Sequence, residues 1–149
     1  MKTATAATDA QRLLLPCPCG RALAYGDCCG PLHTGTAAAA DAESLMRSRY
    51  SAFVFGLAGY LVQTWHPDTR PPRIEPDRLG EKWLGLEVRA TRTDGDQAWV
   101  EFVARSRTAG RATRLHENSR FVREHGRWLY VDGQAPAKAR RGFKPGPAR

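Results

Sequence analysis

Cysteine is missing from this 149-residue chain everywhere except residues 17–29, where all four of its cysteines lie. That excludes a disulfide framework spread across the molecule. No apolar run approaches the roughly 20 residues a membrane-spanning helix needs. Leu13-Leu14-Leu15 is too short for a leader core, and no strongly basic start precedes it. The expected location is the cytoplasm, and no membrane contact is expected. There is no glycine-rich phosphate loop and no Ser/His/Asp or Cys/His nucleophile set, so the sequence leans against an enzyme, with a small-molecule-binding or enzymatic domain as the alternative. Acids are absent from Gly133 onward, where Lys138, Arg140, Arg141, Lys144 and Arg149 carry five of the eight excess positive charges. Residues 133–149 are expected to form a disordered basic tail able to touch RNA, the ribosome or an acidic partner weakly. Phe143 is its one aromatic, so base stacking is not supported.

What is present centres on Cys17-Pro18-Cys19 and, eight residues later, Cys28-Cys29. Two chemistries compete for such a cluster. Disulfides need a Cα separation of about 4.4–6.8 Å, so bridges between these neighbours would be strained, although crossed pairings fit. One metal ion held by thiolates is the alternative; zinc takes four sulfurs in a tetrahedron from two short turns. Gly20, Gly26 and Gly30 permit those turns, and Pro16, Pro18 and Pro31 stiffen them. The spacing favours metal, with Cys17, Cys19, Cys28 and Cys29 as ligands, and iron as the other ion that four thiolates accept. Adjacent Cys28 and Cys29 must splay toward one centre. If one points away, His33 is the replacement. No position looks open to water, so the site reads as structural.

This pattern resembles the SEC-C motif, a small zinc-binding module found at the tail of the SecA translocation ATPase and in several bacterial proteins. Where the usual form has Ser-Gly, this chain has Arg21-Ala22.

Residues 1–12 show no pattern and are expected to be a disordered lead. Residues 13–36 form the knuckle. After an alanine-rich join, Asp41 is placed to cap a helix running to about Phe55, with Leu45, Met46, Tyr50 and Phe53 on one stripe. Arg49 falls on or beside that stripe, an unusual place for a charge. A short second helix ends at Trp65-His66-Pro67. Residues 67–82, with four prolines, read as loop. From Trp83 the period becomes two, with Leu84, Leu86 and Val88 sharing a face. Turns at Asp94-Gly95, Ala109-Gly110 and His125-Gly126 divide the rest into an antiparallel meander whose last strand is Trp128–Val131.

Helices followed by strands imply an α+β fold with helices on one face of a curved sheet. This order is similar to a nuclear-transport-factor-2-like cone over residues 41–132. With the knuckle ahead of it, and with Leu45–Phe53, Thr64–Pro67, Trp83–Val88, Val100–Arg105 and Leu115–Phe121, the chain resembles the YchJ-like family over roughly residues 15–133. The resemblance implies the fold and bound zinc more than an activity.

Cones of this kind enclose pockets. Arg49, His66, Glu101, His116, Glu117 and Arg120 are the polar candidates. His116 and Glu117 must point to opposite faces. Glu117 is in phase with Leu115 and Phe121 and should turn inward, where Arg49 or His66 would partner it. Arg49, His66 and Glu117 are therefore the candidate small-ligand site, with an ion pair fixing helix to sheet as the plainer explanation. The favoured function is a zinc-binding adaptor whose knuckle meets a protein or ribosomal partner.

Overall fold

The computed structural model describes residues 8–74 and 81–135. Among these, helices α1 (Asp9–Leu14), α2 (Gly30–Thr34), α3 (Ala42–Phe55) and α4 (Ala58–Gln63) precede strands β1 (Lys82–Asp94), β2 (Gln97–Thr108), β3 (Arg111–Glu124) and β4 (Arg127–Gln134). The strands form one antiparallel sheet in the order β1-β2-β3-β4. This is the α+β, nuclear-transport-factor-2-like arrangement expected, with the knuckle in front. No helix among the described residues is long and apolar enough to cross a membrane.

A helix begins inside the stretch 1–12 that its lack of pattern marks as a disordered lead, of which residues 1–7 lie outside the described residues. Thr8 Oγ1 accepts from the Gln11 amide at 3.1 Å, and Gln11 Oε1 accepts from the Thr8 amide at 3.0 Å. This reciprocal capping box starts α1 within residues expected to be unstructured. Arg12 then lies over the Phe55 ring, 4.1 Å from its centroid.

Helix α3 is the centre of the molecule. Asp41 caps it, accepting from the Ser44 amide at 2.8 Å, and Gly56 closes it in the left-handed region at φ 71°. Two of its faces are covered. Leu45, Met46 and Tyr50 pack on Val100, Phe102, Phe121 and Trp128 of the sheet. Ser48, Ser51 and Ala52 are fully buried as well. Ser51 faces the cysteines and Ser48 meets His33 and Tyr60. Small side chains at these positions let the knuckle approach the helix closely.

The hairpins fall at the expected turns. Ala109 and Gly110 have φ 52° and 80°, and His125 and Gly126 have φ 53° and 77°, the left-handed pair that a tight two-residue hairpin requires. The inward set of β1 differs from simple alternation. The β1–β2 register slips between Trp83 and Gly85, so Trp83 joins the core with Leu86 and Val88, while Leu84 turns out and is 48% exposed. Strand β4 also outlasts its expected end. Gly133 pairs with Ser119 and Gln134 with Asn118. The basic tail expected beyond them falls, from residue 136 on, outside the described residues, as does 75–80 of the proline-rich loop.

Candidate metal centre

The first cysteine turn is a miniature hairpin. Pro16 and Ala24 form an antiparallel bridge, the Cys17 amide donates to Leu23 O at 2.9 Å, and the Tyr25 amide donates to Leu15 O at 2.8 Å. Gly20, at φ 94°, turns the chain between the arms. The second turn is one 3-10 turn, Tyr25–Asp27, followed by Cys28 in a conformation neither helical nor extended (φ −132°, ψ −100°) and by Cys29 at the start of α2. That break in direction lets two adjacent side chains converge. Gly30 is needed there, because a Cβ would sit 2.8 Å from the Tyr25 carbonyl oxygen.

The four cysteine sulfurs lie within 4.8 Å of one another. No disulfide links them, and Cys19 Sγ is 3.6 Å from Cys28 Sγ. A bridge would need about 2.05 Å. Sulfurs around one tetrahedral zinc are about 3.8 Å apart, from bonds of about 2.3 Å. The spacing therefore fits a shared cation, and the donor set could hold a metal ion. Cys17, Cys19 and Cys29 are buried, and Cys28 is half-buried. Four sulfurs this close cannot all ionise without a counter-charge. Hydrogen bonds from Cys19 and Cys29 pull the Cys17 thiol down. Burial pushes Cys28 up to about 12, and Cys29 is driven up first by its bond to Cys17.

Helix α3 supplies the floor of the cluster. Ser51 donates to Cys29 Sγ at 3.4 Å and lies 3.6 Å from Cys17 Sγ. Arg47 donates to the Cys19 carbonyl at 2.7 Å and is held by Glu43 at 2.9 Å. Tyr25 stacks edge-on against Phe55 at 5.0 Å. His33 is not aimed at the sulfurs. Its Nε2–H donates to the Ser48 carbonyl at 2.8 Å, and its Nδ1 accepts from the Tyr25 hydroxyl. Burial lowers its pKa and keeps the ring neutral. With both nitrogens engaged, His33 is a brace between knuckle and helix. Ser51, Arg47 and Tyr25 were not legible as site residues; the one sequence trace is small Ser48 and Ser51 opposite the apolar stripe.

The other polar candidates do not gather into one site. Arg49 is 4% exposed. Its guanidinium donates to Leu61 O at 3.0 Å and Thr64 Oγ1 at 2.6 Å, between the rings of Trp65 and Tyr130. Glu117 turns inward as expected, accepting from Ser119 at 2.9 Å and from the Tyr130 hydroxyl at 3.4 Å, and its charge is felt by Arg49. His66 goes elsewhere: its Nε2 meets Glu124 at 2.8 Å. On the opposite face, His116 meets Glu101 at 2.7 Å, and Arg120 forks onto Asp132 at 3.0 and 3.2 Å. Two grooves, of about 350 and 300 Å³, lie beside the alanine-rich join, and neither is lined by Arg49, His66 or Glu117. The smaller one opens on Cys28 and Cys29.

Comparison with known proteins agrees with this geometry. Residues 41–133 match the model of the YchJ middle NTF2-like domain, and residues 15–31 match the SEC-C motif. A UPF0225 protein of Bordetella pertussis is 62% identical over 120 residues, covering 78% of this chain and 90% of its own. One from Methylibium petroleiphilum is 62% identical over 128 residues, covering 85% and 93%. The solution structure of a SEC-C motif containing protein from Rhodopseudomonas palustris superposes with a TM-score of 0.74 at 37% identity, over 82% of this chain and 99% of that one. A crystal structure of another from Psychrobacter arcticus gives 0.67 at 31%, over 81% and 82%.

Proposed function

This chain belongs to the YchJ-like UPF0225 family, an NTF2-like domain preceded by a SEC-C motif, and from that premise we propose that it is a cytoplasmic zinc-binding adaptor. Cys17, Cys19, Cys28 and Cys29 hold one zinc ion in a closed, structural site. The knuckle so fixed presents a rigid surface to a protein or ribosomal partner. The convergence of four unbridged sulfurs within 4.8 Å carries the metal reading. Zinc is preferred because a redox-inert ion with no geometric demand suits a site whose floor is a serine and a backbone carbonyl brace. The adaptor reading is supported by apolar exposure around the knuckle. Leu13, Leu14, Leu15 and Leu23 are 45%, 82%, 49% and 47% exposed, and they flank the Pro16–Ala24 bridge. Large apolar side chains gathered at a surface mark contact sites.

A small-molecule role for Arg49, His66 and Glu117 is less well supported, since aromatic rings fill the space around Arg49 and His66 faces Glu124.

Elemental analysis of protein purified under reducing conditions, beside a thiol titration, tests the metal. The expected result is one zinc per chain with thiols reactive only after chelation. Absence of metal together with absence of titratable thiols after denaturation, once the reductant is removed, would mean disulfides and overturn it. The adaptor reading requires in addition that cross-linked partners disappear on Leu14→Asp or Leu23→Asp at unchanged zinc content.

A further inference from the structure

The β2–β3 hairpin carries a charge arrangement that the knuckle does not explain. Between Phe102 and His116 there are four arginines (Arg105, Arg107, Arg111 and Arg114) and no acid. The pairing sets like charges face to face. Arg105 lies directly opposite Arg114, and Lys82 of β1 lies directly opposite Arg107. Cross-strand partners interact more than any other residues on a sheet, and like charges placed so are destabilising. Ala104 and Ser106 are buried on the core side, so Arg105 and Arg107 point to the other, away from the helices. Among the described residues Glu87 is the one acid to reach this group, 3.9 Å from Arg105, and it is shared with Arg89 at 3.3 Å. Among the described residues no acid lies within ion-pair distance of Lys82, Arg107, Arg111 or Arg114.

We propose that this outer face of the hairpin is a docking surface for single-stranded nucleic acid, gripped through its phosphates. The array is regular. Same-face neighbours along a strand are about 6.7 Å apart and cross-strand partners about 5 Å. A partner bearing one anion per repeat along an extended chain matches such a grid; a folded acidic protein has no such period. Guanidinium forks fit phosphate oxygens in pairs, and three of the four cations that the pairing puts on this face (Lys82, Arg105, Arg107 and Arg114) are arginine; Arg111, opposite Thr108, falls on the other face. The contacts are to backbone, so binding is indifferent to sequence and steeply salt-dependent.

The test uses the full chain and labelled oligouridylate and oligothymidylate, with affinity measured by fluorescence anisotropy across a salt series. Both oligomers should bind. Each phosphate contact on a single strand contributes about 0.7 to the slope of log affinity against log salt. The exposed double change Arg105→Gln/Arg107→Gln should therefore reduce the slope by about 1.4 and weaken binding about 25-fold near 0.1 M salt. Unchanged zinc content and circular dichroism would show the variant folded. Neutralising Lys138, Arg140, Arg141, Lys144 and Arg149 instead should leave that hairpin dependence intact. The proposal is overturned by no binding at low salt, or by a slope the hairpin change does not alter. It is also overturned if polyglutamate binds as tightly and loses as much, which would make the partner an acidic protein.

Discussion

Replacing Cys17 with serine should abolish stoichiometric metal binding, loosen residues 13–36 and leave the NTF2-like domain folded. Two separate clusters of buried residues underlie this outcome. The knuckle cluster is Cys17, Cys19, Tyr25 and Cys29 with Phe55 against it; the sheet cluster is built on Val100, Phe102, Phe121 and Trp128. The contacts joining them are polar ones, Ser51 to sulfur, Arg47 to Cys19 O, Arg21 to Ser44 and His33 to Ser48 O, together with the edge-on rings of Tyr25 on Phe55 and His33 on Tyr60. Removing the ion forfeits its linkage stabilisation, about 4 kcal/mol when free zinc is a thousandfold above its Kd. None of the four tryptophans lies in residues 13–36, so their fluorescence follows the domain alone while elemental analysis follows the metal. Full metal content in Cys17→Ser would sink the four-cysteine assignment. Loss of the tryptophan unfolding transition would show instead that the knuckle is part of the domain's own core. His33→Ala is the control: both ring nitrogens already have partners, so it should keep its zinc.

The four-cysteine cluster was legible because its signal is local. Four cysteines in one stretch of chain can meet only each other, whatever the rest of the fold does. The competition between Cys28, Cys29 and His33 was not legible, because the backbone turn at Cys28 and the Tyr25 and Ser48 partners of His33 decide it. Those partners come from elsewhere in space, and spacing carries no information about them. The floor of the site was hidden for the same reason: Ser51 and Arg47 look like ordinary helix-surface residues until the knuckle covers them.

In the sheet, each of the three turns announced itself through a glycine, Gly95, Gly110 or Gly126, at positive φ, and the meander follows from them. What alternation missed is register irregularity: β1 slips against β2 between Trp83 and Gly85 and again between Val88 and Ala90. A bulge at Leu84 exchanges Leu84 for Trp83 in the core, and period-two reasoning reverses at such a point. Phase placed Glu117 inward correctly because no irregularity lies between it and Phe121 along β3 in the pairing with β2. It could not place His66, which leaves a helix end rather than a strand and finds Glu124 across the sheet end.

Arg49→Met should destabilise the domain by about 2–5 kcal/mol, from one buried carbonyl left unpaired (about 1–3 kcal/mol) and lost cation–π contacts (about 1–2 kcal/mol). Methionine keeps the apolar stem in place but gives Leu61 O no donor and the Trp65 and Tyr130 faces no cation. For a domain of this size, each kcal/mol lowers Tm by about 4–8 °C. Arg49→Lys should recover part of the loss, because an ammonium reaches one acceptor but cannot fill the planar slot between two rings. Burial pulls the guanidinium down to about 10. For a base held below its unfolded value the charged form is the disfavoured one. Its cost is therefore present at every pH below about 10 and is relieved as pH rises from there toward 12.5. Arg49 accordingly contributes no step to a stability titration between pH 5 and 8, and the Arg49→Met and wild-type curves should run parallel there. Equal stability of the two proteins would mean that desolvation cancels every contact the cation makes. A costly charge that adds nothing to stability would then require a ligand to explain it, and the small-molecule reading of Arg49 and Glu117 would replace the ion-pair one.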